Sequence, residues 1–167
     1  MKRTPFKKEK PAPGQESVWD YPRPPRLERT NDHVKVVFNG KVLAESANPL
    51  RVLETSHPPV YYLPLEDVDP SMLKQVTGNT MCEFKGMATY FDVIGPSKTA
   101  SRAAWTYQNP VPSFKEIEGT LAVYPSKMEA CYVNGEQVQA QEGDFYGGWI
   151  TSKIVGPFKG APGTWGW

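Results

Sequence analysis

Histidine and cysteine are scarce in this sequence, which limits the metal sites that it can form. The chain of 167 residues has two histidines, His33 and His57, and two cysteines, Cys82 and Cys131. Two histidines are too few for a histidine-rich metal centre, and two distant cysteines form neither a disulfide framework nor a cysteine-rich zinc site. We therefore expect no metal and no other cofactor. Two free buried thiols are favoured for the cysteines, with a single disulfide between them as the alternative.

A long apolar run and a large excess of charge are also missing. No run approaches the roughly 20 apolar residues of a membrane-spanning helix, and the opening MKRTPFKKEK has no apolar region typical of a secretory signal. The formal net charge of +1 argues against a dominant interaction with nucleic acid or an acidic membrane surface. The sequence therefore predicts a cytoplasmic protein that binds neither nucleic acid nor membranes.

The motifs of several common enzyme classes are absent too. The chain contains neither of the glycine-rich loops that cradle nucleotide phosphates, GxGxxG and GxxxxGK. It has no GxSxG elbow, no HExxH pair and no CxxC pair. Any chemistry must therefore come from polar side chains set among the structural elements.

Proline is abundant, with 17 residues, and favours turns and extended segments over long helices. Asn39-Gly40 separates VKVVF from KVLAE, and Asn134-Gly135 separates MEACYV from EQVQA. Both pairs suit the two positive φ angles of a type I′ turn, so each predicts a β-hairpin. Five further short strands, rich in β-branched and aromatic residues, are predicted at 60–64, 81–84, 87–93, 103–107 and 120–125. The sequence predicts a mainly β, antiparallel protein.

We expect one or two short helices. Pro70–Val76 is the best candidate, because Asp69 can cap its first turn and proline suits the first helical position. A second turn is expected to start at Ser113 and to end at Gly119.

Composition divides the chain into three parts. We expect a proline-rich basic N-terminal arm over 1–33, a β domain over 34–142, and a C-terminal strap rich in glycine and tryptophan over 143–167. The strap is expected to pack on the body or on a partner subunit, as in a homodimer, because burial of its tryptophans is favourable. A flexible tail is the alternative.

Arg51, Glu54 and His57 lie three positions apart in RVLETSH. On a helical turn all three would share one face, and Glu54 could pair with Arg51 or orient His57. In an extended segment Arg51 and His57 would face together, with Glu54 on the other side. Both readings stay open, as do a role in a pocket and a role as a structural salt bridge. Pro58 and Pro59 bias His57 to an extended backbone and hold it in position.

Aromatic side chains and one lysine are the other candidates for a binding site. Tyr61 and Tyr62 point to opposite faces of their predicted strand, so at most one of them lines a given cavity. Trp105 and Tyr107 share one side of a strand, as core or as a stacking surface. Lys85 interrupts a strand segment and either directs its ammonium group at an anion or lies in solvent.

Four stretches together resemble a known family. LETSHPPVYYLPLEDV, CEFKGMATYFDV, AAWTYQNPVP and AVYPSKMEACYVNGEQV follow, over about residues 33–140, the order and wording of the family called domain of unknown function 427. The closing DFYGGWITSKIVGPFKG and GTWGW resemble an extension found in a photosynthetic-bacterial branch of that family.

The resemblance implies a small fold of two packed sheets, similar to the β-tent (Mss4-like) architecture. Relatives of that architecture often hold zinc through paired CxxC motifs, which this chain lacks, so zinc is not carried over. A nucleotidyltransferase-like label is attached to the family in places, but the chain has no matching carboxylate pair or glycine-serine signature. The positions that carry the resemblance are Arg51, Glu54, His57, Pro58, Tyr61, Lys85, Gly86, Tyr90, Trp105 and Tyr107.

Three hypotheses of function follow. The first is a small-molecule-binding module whose cavity has aromatic walls and a few convergent polar groups, with an anionic or carbonyl-bearing ligand. Its candidate ligand-binding residues are Arg51, Glu54, His57, Tyr61 (or Tyr62), Lys85, Tyr90, Trp105 and Tyr107. The second is an enzyme in which His57 is the general base and Glu54 orients it. The third is an interaction protein that docks a partner or a second subunit through its strap.

Overall fold

The structure is a computed structural model that describes residues 8–82, 85–143, 147–160, 163–164 and 167, with the backbone alone at Cys82. It is mainly β, as predicted. The strands are β1 Glu16–Ser17, β2 Arg26–Arg29, β3 Val34–Phe38, β4 Lys41–Ser46, β5 Leu50–Leu53, β6 Val60–Pro64, β7 Leu73–Cys82, β8 Gly86–Ile94, β9 Thr99–Tyr107, β10 Thr120–Val123, β11 Ala130–Val133, β12 Glu136–Gln137, β13 Gln139–Ala140, β14 Trp149–Ile150 and β15 Ile154–Val155.

Two antiparallel sheets dominate the fold. The larger has seven strands in the order β2-β5-β6-β10-β9-β8-β7, and the smaller has four in the order β12-β11-β3-β4. Two short ribbons complete the pairing, β13 with β14 and, in parallel, β1 with β15. The predicted antiparallel two-sheet architecture is confirmed for these two main sheets; the likeness to a β-tent stays a prediction.

Both predicted Asn-Gly hairpins are present. Asn39 and Gly40 have φ values of 52° and 77°, and Asn134 and Gly135 have 50° and 82°. The first turn joins β3 to β4 and the second joins β11 to β12. Because these two hairpins pair through β3 and β11, they form the whole four-stranded sheet.

The main core lies between the two sheets. Apolar side chains from both sheets are buried there, and Trp149 of the strap joins them. The strands of the larger sheet alternate between this core and a second buried cluster on the opposite face. On β6, for example, Tyr61 and Leu63 belong to the main core, whereas Tyr62 belongs to the second cluster.

Helical structure in the described residues consists of short 3-10 turns: Val18–Asp20, Leu65–Asp67, Pro70–Met72, Pro112–Ile117 and Pro125–Lys127. Asp69 caps the third of these, accepting from the Ser71 N–H at 3.0 Å. The predicted helix Pro70–Val76 is nevertheless too long. β7 begins at Leu73, where pairing with β8 replaces helical hydrogen bonds.

Described segments near each end of the chain pair with other strands. β2 is the edge strand of the larger sheet, paired with β5, so the folded body begins before the predicted boundary at Val34. Residues 1–7 of the predicted basic arm lie outside the described residues. Within the strap, the Trp149 N–H donates to the Pro59 carbonyl at 2.8 Å, and β15 pairs with β1. Trp165 lies outside the described residues.

Candidate functional site

A cavity of about 350 Å³ lies against the second buried cluster, on the face of the larger sheet turned away from the smaller one. We call it the first cavity. Its lining combines aromatic rings, two lysines, one glutamate and one histidine. The lining residues are Val52, Glu54, His57, Pro58, Val60, Tyr62, Lys85, Tyr90, Trp105, Tyr107, Tyr124, Gln141, Gly147 and Lys159.

The aromatic part of the lining is a set of packed rings. The Tyr62 ring meets that of Trp105 edge-on, with centroids 6.4 Å apart, and Trp105 lies 4.5 Å from Tyr124. Tyr107 is 6.4 Å from Tyr62. Tyr124 was missed in the sequence analysis, although strand parity puts it on the same side as Ala122. The structure brings Trp105 and Tyr107 together in the cavity, and selects Tyr62 over Tyr61.

Tyr90, opposite Trp105 in the β8–β9 ladder, is fixed from outside the cavity. Its hydroxyl is 2.7 Å from the Thr80 hydroxyl. The Arg102 guanidinium lies over its ring, 4.3 Å from the centroid, in a cation–π arrangement. These two contacts hold the ring in the position where it lines the cavity.

A turn after β5 brings Glu54 and His57 to the same cavity. The Glu54 carbonyl accepts from the His57 N–H at 3.0 Å, and Ser56 adopts a φ of 71°. Glu54 Oε2 lies 3.9 Å from His57 Nε2. Arg51, still within the strand, points to the opposite side. The grouping therefore matches neither a single helical turn nor a single strand, because the strand ends between Arg51 and Glu54.

His57 is largely buried and lies near three cations. Burial, followed by the charges of Lys159, Arg23 and Lys85, lowers the pKa of His57 to about 4, although a hydrogen bond with Gln141 acts in the opposite direction. A free histidine titrates near pH 6.5. The imidazole is therefore neutral at pH 7.

Gln141 and Lys159 complete the polar side of the cavity, and neither was identified from the sequence. Gln141 Nε2 lies 3.0 Å from His57 Nδ1 and donates to the Lys159 carbonyl at 2.7 Å. The Lys159 N–H donates to the Ser56 carbonyl at 2.8 Å. No local pattern signals these contacts, because they join positions far apart in the chain.

Two adjacent glycines let the strap approach this site closely. A Cβ atom on Gly147 would lie 2.4 Å from Trp105 Cη2, and one on Gly148 would lie 2.3 Å from Gln141 Oε1. A larger residue at either position would displace these side chains. The Gly147-Gly148 pair is thus required for the strap to close one side of the cavity.

Lys85 lies at the turn between β7 and β8 and is half-buried. Its ammonium nitrogen is 6.0 Å from the centre of the Phe114 ring.

The first cavity brings together six of the eight predicted ligand-binding residues: Glu54, His57, Lys85, Tyr90, Trp105 and Tyr107.

The two remaining candidates, Arg51 and Tyr61, line a separate cavity of about 210 Å³, the second cavity. Arg51 donates from both terminal nitrogens to Glu16, each at 2.9 Å, and from Nε to Glu28. Tyr61 donates to Asp32 Oδ2 at 2.8 Å. Burial alone would raise the pKa of Glu16, but its hydrogen bonds with Arg51 and its other partners lower it. The arrangement ties β1 and β2 to β5, which is a structural role.

We expect Arg51→Met to lower the free energy of unfolding by about 2–4 kcal/mol, because it leaves two partly buried carboxylates without their cation. The control is Arg29→Met, which breaks an exposed pair with Glu116 and should cost less than about 1 kcal/mol. Urea unfolding measures both. Equal losses in the two variants would contradict the structural role of Arg51.

Among the described residues, no three histidine, cysteine, aspartate or glutamate side chains are grouped in a way that could hold a metal ion. Cys131 is a free, buried thiol, and burial raises its pKa to about 12. The side chain of Cys82 lies outside the described residues. Within the part of the chain that the structure describes, no helix is long and apolar enough to cross a membrane.

Comparison with known protein families shows which family the chain belongs to. Residues 26–134 match the family model described as a domain of unknown function, DUF427. The chain belongs to the DUF427 family. No curated protein matched the chain. The matched region supplies most of the lining of the first cavity, but Gln141, Gly147 and Lys159 lie beyond its end.

Proposed function

We propose that the protein is a small-molecule-binding domain whose ligand occupies the first cavity and carries both a planar apolar part and an anionic group. The supporting observation is the pairing of aromatic rings with lysines around one cavity. Pockets for small ligands are mostly apolar, with a few polar groups that fix orientation. The packed rings around Trp105 would take the planar part.

The charged side chains around the first cavity favour an anionic ligand. Lys85 and Lys159 line the cavity, and Arg23 lies near enough to contribute to the lowered pKa of His57. Among the described lining residues, Glu54 is the one acidic side chain. Neutral His57 can donate a hydrogen bond without adding charge. The Lys159 ammonium donates to the main-chain oxygen of Trp167 at 3.4 Å and has two further hydrogens. A carboxylate is the simplest anion for the two ammonium groups, since each charged hydrogen bond is stronger than a neutral one.

The strap supports this proposal by its contribution to the cavity wall. Gly147 and Lys159 belong to the strap, and Gln141 immediately precedes it. Because the strap is needed for the wall, we assign it to completing the site rather than to docking a partner. A homodimer formed through the strap stays a prediction from the sequence. The likeness of the strap to an extension found in a photosynthetic-bacterial branch of the family also stays a prediction. A cytoplasmic location also stays a prediction, supported by the free thiol of Cys131.

Calorimetric titration with phenylacetate and phenylpyruvate at neutral pH tests the proposal. These probes pair an aromatic ring with a carboxylate. We expect Lys159→Ala or Lys85→Ala to raise Kd at least about 10-fold, because either change removes a charge-assisted hydrogen bond. Lys153→Ala, which alters a lysine of the second cavity, is the matched control and should leave Kd unchanged. Absence of binding by both probes would count against the proposal. So would a rise in Kd for Lys153→Ala as large as the rise for Lys159→Ala or Lys85→Ala.

An enzymatic role is the second candidate, and one observation favours it. Glu54 and His57 both line the first cavity with 3.9 Å between Oε2 and Nε2. A carboxylate beside an imidazole can move protons on a bound molecule.

A further inference from the structure

The hydrogen bonds of Gln141 determine where the His57 ring carries its proton. The Lys159 carbonyl can only accept, so the Gln141 atom 2.7 Å from it must be the amide nitrogen. That nitrogen has a second hydrogen, directed at His57 Nδ1 3.0 Å away. Nδ1 must then accept, and the neutral ring carries its single hydrogen on Nε2.

This tautomer reverses the roles expected from the sequence. A general base needs a lone pair that can reach the substrate, but the Nδ1 lone pair of His57 is held by Gln141. Nε2–H, on the side of Glu54, is a hydrogen-bond donor. Glu54 is therefore the proton acceptor of the pair. A carboxylate base beside a neutral imidazole donor is an arrangement suited to removing a proton next to a carbonyl group.

The other groups of the first cavity indicate the chemical class of the substrate. Lys85 and Lys159 provide positive charge for a carboxylate, and Trp105 with its neighbouring rings provides a surface for an aromatic group. A 2-oxo acid with an aromatic substituent has all three features. Its carboxylate, its ketone and its ring would meet the lysines, His57 and Trp105 respectively.

We propose that the first cavity catalyses keto–enol proton transfer on aromatic 2-oxo acids, with Glu54 as the base and the His57 Nε2–H as the donor to the ketone oxygen. The Glu54 carboxylate takes a proton from C3. The electron pair of that C–H bond forms the C2=C3 double bond, and the carbonyl π pair moves to the oxygen, where His57 stabilises the negative charge. Return of a proton from Glu54 to C3 restores the keto acid, so no oxidant or second substrate is needed.

The inference rests on the proposed binding function. Exchange of hydrogen for deuterium at C3 of the substrate measures the proposed reaction directly. Phenylpyruvate is incubated with the full chain in D2O, and proton NMR follows loss of the C3 signal against the same buffer without protein. We expect acceleration of about 100-fold or more. Glu54→Gln should return exchange to the buffer rate while phenylpyruvate still binds in calorimetry. Glu66→Gln, which alters an exposed carboxylate outside the cavity, should exchange like the unaltered protein.

Gln141 is a positioning residue in this scheme. We expect Gln141→Leu to slow exchange and to remove the Nε2–H signature of His57 in nitrogen-15 NMR spectra. Exchange at the buffer rate with phenylpyruvate bound would overturn this inference and leave the binding function standing. Full exchange in Glu54→Gln would overturn the role of Glu54. Failure of both phenylpyruvate and phenylacetate to bind would overturn the binding function and, with it, the inference.

Discussion

Replacing Trp149 with alanine is expected to lower the free energy of unfolding by about 3–5 kcal/mol, the range for a fully buried large aromatic side chain. Trp149 has no exposed surface and belongs to the main core, where its ring lies 5.1 Å from that of Tyr61. Alanine would leave a large void between the sheets and would loosen the adjacent Gly147-Gly148 segment. Weaker binding of phenylacetate should therefore accompany the loss of stability.

Trp149→Phe is the matched control. The indole Nε1–H is buried and has no hydrogen-bond partner within the described structure, so phenylalanine removes an unsatisfied donor while keeping most of the apolar contact. We expect it to cost less than about 2 kcal/mol in urea unfolding. A loss in Trp149→Ala no larger than that in Trp149→Phe would contradict the core position of the ring.

Acidification is expected to destabilise the protein through His57. The folded-state pKa of about 4 lies below the unfolded value of about 6.5, so the unfolded chain binds a proton first as pH falls. Stability is therefore full above pH 6.5, declines between pH 6.5 and 4, and is reduced by about 3 kcal/mol below that window. His57→Gln should lack this decline, since its side chain does not titrate.

The comparison is best made in a His33→Gln background, so that only one imidazole titrates. The difference in unfolding free energy between the chain that keeps His57 and the chain that carries His57→Gln is followed across pH, which isolates His57 from the carboxylates. Proton NMR of the His57 ring should give a midpoint near 4. A midpoint near the ordinary value of about 6.5, or a difference that does not vary with pH, would show that His57 is solvated rather than buried among cations.

Local patterns predicted some of the β elements, whereas β2, β5 and most of β7 were not predicted as strands. Each Asn-Gly pair supplies two positive φ angles at adjacent residues, so the hairpins depend on neighbours in sequence. The predicted strand 60–64 coincides with β6. Pro70–Val76 failed as a helix because β7 competes for its residues, and that competition comes from pairing with β8.

Strand parity predicted part of the aromatic lining of the site. Parity separates Tyr61 from Tyr62, and it puts Trp105 beside Tyr107, but it cannot say which face holds a cavity. The separation of Arg51 from Glu54 depends on where β5 ends. Gln141 contacts His57, which lies 84 positions earlier in the chain. Local sequence patterns do not predict such a long-range contact.

Chemical-shift mapping on nitrogen-15-labelled protein tests the central claim, ligand binding in the first cavity, most directly. During titration with phenylacetate, we predict saturable shifts of the Trp105 indole N–H and the Gly147 amide, both at the cavity. The Gly40 amide, in the turn of the four-stranded sheet, should not move. Shifts confined to the second cavity, such as at the Lys153 amide, or no saturable shift at Trp105 and Gly147, would contradict the claim.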